Sequence, residues 1–297
     1  MRGAGLAVVL LVALVGIFLT WKAVPSLLHN KAPFLTSRVW SPDTNPPRFG
    51  IAALLWTTVI SSIVAMLLAV PVAVGVALFI TQYAPKRLAT PVAYVVDLLA
   101  AVPSIIFGLW GIAVLGPVLA APNSGLRQGI ENSLGWIPLF SSTGVSAGNV
   151  FLASIVLAIM ILPIVTALSR EVFLQVPRAN IEAAQALGAT KWETIRMAVL
   201  PFGRPGVISA SMLGLGRALG ETIAVTIILS TPNIGAPFDP SLWAGGETFA
   251  SKIANAAGEF DTPQKTGAYI SAGLVLFVVT FAVNAVARVV ISRRKEV

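Results

Sequence analysis

Cysteine is absent from the 297-residue chain, which rules out a disulfide framework, a thiolate metal site and a cysteine nucleophile. Histidine occurs once, as His29, so neither a Ser/His/Asp set nor a histidine metal cluster can be assembled. No catalytic site, metal site or cofactor is expected. No Gly-x-x-x-x-Gly-Lys-Ser/Thr run is present to cradle nucleotide phosphates. Charge is scarce as well, with Asp, Glu, Lys and Arg making up 11% of the residues. A chain so poor in charge, with mean hydropathy +0.87, would precipitate as a water-soluble globule.

What the chain has instead is charge-free apolar runs: Gly3–Trp21, Phe49–Pro85, Leu98–Leu126, Asn132–Ser169 and Thr266–Ala287. A bilayer core takes about 20 helical residues. The runs, with a further segment around Arg217, predict an all-α integral membrane protein with six transmembrane helices, near 4–27, 52–82, 93–120, 150–175, 205–231 and 267–291. Pro71, Pro103 and Pro163 each remove one helical donor and are candidate kinks. The first run exceeds the 7–15 residues of a leader's apolar region and lacks a small-x-small cleavage site before Lys22, so an anchor helix is expected. The expected division is an anchor helix and outer loop over 1–50 and a transport domain over 51–297.

The formal charge of +8 is scattered among loops rather than gathered on one face, which argues against nucleic acid as a partner. It fits membrane topology better. With both termini cytoplasmic in a multi-pass plasma (inner) membrane protein, twelve cations fall inside, including Arg2, Lys86, Arg87, Arg170, Lys191, Arg293, Arg294 and Lys295. Seven fall outside: Lys22, Lys31, Arg38, Arg48, Arg127, Lys252 and Lys265. The outer loop Pro232–Lys265 carries Asp239, Glu247, Glu259 and Asp261, and Thr248–Phe260 has the pattern of an amphipathic surface helix.

Two charges interrupt the apolar segment at its middle. Arg217 and Glu221 stand four residues apart, flanked by charge-free Pro205–Gly216 and Thr222–Phe238. A lone charge at a helix centre costs roughly 2.5–3.5 kcal/mol on insertion scales. Spacing of four places both on one face of a helix, where they can offset each other. They read as lining a solute path, or as an interior ion pair that fixes packing. Arginine stays charged at any relevant pH and its fork matches an oxyanion. Gly214, Gly216 and Gly220 lie beside them, and the small-x-x-x-small spacing of the last two suits a helix interface rather than a nucleotide loop.

The longest polar inner segment, Arg170–Arg204, is rich in helix formers on either side of Gly188. Gly188 can end one helix and Thr190 can cap the next, with Glu193 completing a capping box. Two short helices at a bend follow, leaving Ala183, Ala184 and Trp192 available to a partner.

Those residues carry a resemblance. Glu182-Ala183-Ala184, Gly188 and Leu200-Pro201 are similar to the EAA loop of permease subunits in ABC importers, here about residues 179–201; Ala198 replaces the usual isoleucine. Leu99–Gly111, Ile161–Glu171 and Gly214–Thr222 together resemble PstC-type permeases of phosphate-specific ABC importers, and the sister PstA-type permeases less closely. The resemblance implies the type I importer permease fold. It implies that Glu182, Ala183, Ala184, Gly188 and Trp192 form a coupling helix docked on a cytoplasmic ATPase dimer, with ATP hydrolysed there and not by this chain. It further implies a second, PstA-like permease and an outer phosphate-binding protein as partners, with Arg217 and Glu221 on the substrate path. Sulfate or molybdate would suit the same arginine. The rival from another class is an ion-coupled carrier acting alone through Asp97, Arg217 and Glu221, although no internal repeat is apparent.

Overall fold

The computed structural model describes residues 2–121, 124–141, 146–232 and 237–292. Arg293, Arg294 and Lys295, expected on the cytoplasmic side, lie outside the described residues. Among the described residues, five helices are long and apolar enough to cross a bilayer: Gly3–His29, Ala52–Tyr83, Val150–Leu174, Lys191–Gly220 and Pro263–Val286. The bent pair Lys86–Ala100 and Ser104–Leu119 makes a sixth if its two helices are read as one span. In chain order the helices are α1 (Arg2–His29), α2 (Ala52–Leu78), α3 (Lys86–Ala100), α4 (Ser104–Trp110), α5 (Gly125–Leu134) and α6 (Val150–Leu174). They continue as α7 (Arg178–Ala186), α8 (Lys191–Thr194), α9 (Leu200–Gly220), α10 (Ile223–Ile228), α11 (Phe249–Asn255) and α12 (Pro263–Ser292). One short antiparallel ribbon, β1 (Trp40–Ser41) with β2 (Arg48–Phe49), pairs Trp40 with Phe49.

Two expected helices are broken. The third was expected as one helix over 93–120 with Pro103 a candidate kink, and there α3 and α4 meet at a 92° bend around Ala101–Pro103. Pro103 drives the preceding residue away from helical backbone, which breaks the span. Past α4 the chain widens into a π-helix over Gly111–Ala120, where Pro117 has no N–H to give. The fifth was expected over 205–231, but α9 ends at Gly220 and a separate turn of helix, α10, begins at Ile223. α2 and α6 run on through Pro71 and Pro163.

The chain divides into two compact units. The first holds residues up to Ser61, Gly108–Ala153 and Leu219–Ala282. Its core joins Ile51, Leu54, Phe249 and Ala272, with Phe34 and Trp40 against them. Ser26 Oγ donates to the Gln264 carbonyl at 2.6 Å and Gln264 Nε2 donates to the Ser26 carbonyl at 3.2 Å, so α1 is tied to α12 by a reciprocal pair. α11 was expected to lie at the surface, yet Phe249, Ala250 and Ser251 are buried and Phe249 N donates to Thr58 Oγ1 at 3.2 Å. The Thr248–Ser251 capping box fixes that helix start, and the bulk of Phe249 draws it into the core. Residues 125–134, expected as loop, form α5, whose buried Arg127 pairs with Glu131 at 2.7 Å and stands 5.4 Å from the Trp243 ring. The second unit holds Ser62–Phe107, Ser154–Ala218 and the chain from Val283. Its core has one layer of Ala73, Val165 and Ala210 and another of Ala77, Leu78, Phe173, Val176, Ile195 and Val199.

Candidate translocation and coupling residues

Arg217 lies in the last turn of α9, where its charge complements the carbonyl end of the helix. The side chain is half-buried, and its Nε finds no hydrogen-bond partner among the described residues. Arg217 makes no ion pair with any described residue. Glu221 stands just past the helix end and is 9% exposed. Its Oε1 accepts the Ala224 backbone N–H at 3.2 Å, so this carboxylate caps α10. The expectation of one helical face carrying both charges therefore gives way to a helix break. Gly216 and Gly220 weaken the helix there, and a carboxylate that bonds backbone N–H groups competes with continued winding.

The three glycines divide. A Cβ on Gly214 would come within 2.9 Å of Val165 Cγ2, so this glycine sets the close approach of α9 to α6 within the chain. A Cβ on Gly216 or Gly220 would meet nothing within 4 Å. In the other unit a Cβ on Gly108 would lie 2.9 Å from the Ala224 Cα, which lets α4 pack on the backbone of α10.

The candidate coupling loop is built by two local devices in succession. At the end of α7, Ala189 N donates to the Ala184 carbonyl at 3.2 Å and Gly188 N to the Gln185 carbonyl at 2.9 Å. This is a Schellman stop, and it needs the left-handed backbone that Gly188 adopts at φ +81°. Two residues later the capping box is complete: Thr190 N donates to Glu193 Oε2 at 2.7 Å and Glu193 N donates to Thr190 Oγ1 at 3.4 Å. α8 then passes through a π turn, Ile195–Val199, directly into α9.

Glu182, Ala183 and Trp192 are exposed, Trp192 at 56%. Ala184, expected to face a partner, is instead 8% exposed. It lies one turn from Ile181, which packs on the Phe173–Ile195 core, so that face of α7 turns inward. Leu187, 87% exposed at the end of α7, was missed by sequence reading. Its signal was a leucine at the C-cap immediately before a helix-stopping glycine.

The loop is anchored to the span ends below it. Ile195 and Val199 pack on Phe173 and Val176 of the α6 end and on Ala77 and Leu78 of α2. Lys191 Nζ lies 4.8 Å from the Tyr83 ring centre. A Cβ on Gly203 would come 2.5 Å from Phe173 Cε1, and one on Gly206 would strike Val172, so α9 bears directly on α6 just above the loop. Asp97, the suggested relay acid, is engaged by Arg170 at 3.6 Å.

Residues 69–296 match the family described as binding-protein-dependent transport system inner membrane component. A Mycobacterium tuberculosis protein named phosphate transport system permease protein PstC 2 is 56% identical over 97% of this chain and 88% of its own length. A Xylella fastidiosa protein named phosphate transport system permease protein PstC is 40% identical over 96% of this chain and 88% of its own. Among solved structures, the inward-facing MetNI methionine ABC transporter aligns with TM-score 0.57 at 16% identity, covering 81% of this chain and 95% of that one. A bacterial ABC transporter involved in import of alginate aligns at 0.52 and 20% identity, covering 80% and 78%. These structures share the fold, that of ABC importer permeases. The chain belongs to the binding-protein-dependent transport system inner membrane component family and is a membrane-embedded transport subunit rather than an enzyme.

Proposed function

We propose that this chain is a phosphate-conducting permease subunit, with Arg217 as the cation that the anion meets on its path. The observation that carries the reading is a half-buried guanidinium whose Nε has no partner among the described residues. A buried donor left unsatisfied costs about 1–3 kcal/mol, a cost that an oxyanion accepting from the fork would offset. Phosphate is favoured as that oxyanion because the curated relatives at 56% and 40% identity bear the name phosphate transport permease. Glu221, a turn away in sequence, supplies negative charge near the path that would keep phosphate from being trapped.

In this reading Glu182, Ala183, Leu187 and Trp192 dock on an ATPase subunit, with Gly188 holding the bend that presents them. Movement of the loop reaches α9 through the contacts of Gly203 and Gly206 with Phe173 and Val172. α9 carries Arg217 at its far end, and the loop and Arg217 belong to the same compact unit. The open faces of Gly216 and Gly220 would pack against a second, PstA-like permease. An extracytoplasmic phosphate-binding protein would deliver the anion on the other side, with both termini of this chain cytoplasmic. Division of the chain into an anchor helix over 1–50 and a transport domain over 51–297 belongs to the same proposal.

The test is uptake of radiolabelled phosphate by proteoliposomes holding the complete transporter. Arg217→Gln abolishes uptake while the ATPase subunits still co-purify. Wild-type uptake by that variant would remove Arg217 from the path, and uptake of sulfate in place of phosphate would reassign the substrate.

A further inference from the structure

Helix α3 has a feature that transport does not use. At 3.6 residues per turn, Lys86, Thr90 and Asp97 fall on one side, Leu88, Val95 and Leu99 on the opposite side, and Val92 and Val96 on the edge between. The structure exposes both broad faces: Leu88, Val95 and Leu99 are between 42% and 55% exposed, and Lys86, Thr90 and Asp97 are exposed too. Only the edge is packed, with Val96 buried. A helix held along one edge, polar on one flank and aliphatic on the other, suits a boundary between water and hydrocarbon.

Depth decides between lying in that boundary and crossing the core. If α3 ran along the membrane normal, Asp97 would sit eleven residues beyond Lys86, about 16 Å further into hydrocarbon. A carboxylate at that depth costs roughly 2.5–3.5 kcal/mol on insertion scales. Lying flat, both charges stay at one level and that cost disappears. The 92° bend to α4 provides the turn that a flat helix needs before the chain enters the membrane.

Both ends of α3 are tied to the polar side of its unit. Tyr83, three residues before α3, carries Lys191 of α8 over its ring at 4.8 Å. Asp97, near the other end, pairs with Arg170, four residues before α6 ends and the chain turns to α7. We propose that α3 lies in the plane of the membrane surface on the side bearing α7 and α8. Leu88, Val95 and Leu99 dip into the acyl boundary of the lipid, and Lys86 and Arg87 sit among the headgroups. The occupant of the aliphatic face is lipid, not a protein partner.

The cysteine-free sequence makes the test direct. Single cysteines at positions 86, 88, 90, 95, 97, 98 and 99 are spin-labelled in the full chain within its assembled transporter, in phosphatidylethanolamine–phosphatidylglycerol liposomes. Depth is read from the ratio of oxygen to nickel-chelate accessibility, and co-purification of the other subunits reports folding. Because each site is exposed, six of the seven can carry the pattern if one variant fails to assemble. Labels at 95 and 97 should differ in depth by about 5–10 Å, and labels at 88 and 99 should agree. A steady deepening that separates 88 from 99 by about 16 Å would overturn the proposal in favour of a crossing segment. Exclusion of both oxygen and nickel from 88, 95 and 99 would overturn it in favour of a protein partner.

Discussion

Arg217 and Glu221, four residues apart in sequence, stand on opposite sides of a helix end: the guanidinium in the last turn of α9, the carboxylate capping the first turn of α10. The boundary between the two compact units falls between them, after Ala218. A pair that sequence spacing joins is thus divided between two pieces of backbone. The cap role gives Glu221 a structural duty that does not depend on its charge.

Substitutions at Glu221 separate those duties. Glu221→Ala removes the acceptor for Ala224 N–H and should lower the subunit's stability by about 1 kcal/mol, the usual cost of a lost cap. Glu221→Gln keeps an acceptor oxygen and should retain most of that stability. Thermal unfolding in detergent measures the difference. If Gln retains stability but slows phosphate uptake, the charge itself acts on the path.

The Schellman stop predicts a graded response at Gly188. A non-glycine residue at φ +81° costs about 1–2 kcal/mol, and asparagine tolerates that region better than alanine. Gly188→Ala should therefore loosen the α7–α8 bend more than Gly188→Asn. Limited proteolysis between residues 186 and 191 is the readout, with faster cleavage in the alanine variant. Equal cleavage in both variants would argue against a rigid bend.

Leu187 and Trp192 make the reverse prediction. Both side chains are largely exposed, so Leu187→Ser and Trp192→Ala should change stability by less than about 0.5 kcal/mol. They should nonetheless weaken ATPase co-purification and stimulated ATP hydrolysis, because large apolar side chains dominate docking surfaces. Unaltered stimulation in the double variant would place the ATPase contact elsewhere.

The bearing between α9 and α6 is testable by overpacking. Gly206→Val places methyl groups where Val172 already stands and should cost about 1–3 kcal/mol. If the contact transmits loop motion, the milder Gly203→Ala should lower transport per ATP hydrolysed more than it lowers ATP hydrolysis. A proportional fall in both would mark it as packing alone.

The apolar runs and the Gly188–Thr190–Glu193 turn were legible in the sequence, because each depends on local composition or on bonds spanning only a few residues. The helix interruptions were legible only in part: Pro103 marked a candidate kink but not its 92° angle. Glu221 marked a charge within an apolar segment, and hydropathy is blind to whether the backbone winds on past it or stops. The inward turn of Ala184, the burial of Phe249 and the burial of Arg127 depend on what the rest of the fold offers each side chain. Sequence alone determined that the chain lives in a membrane and where it bends between α7 and α8, since transfer energy and short-range hydrogen bonds are additive along the chain. Only the tertiary structure decided that Arg217 and Glu221 part at a helix end, because the carboxylate's choice between a guanidinium and a backbone N–H is set by where the surrounding helices stop.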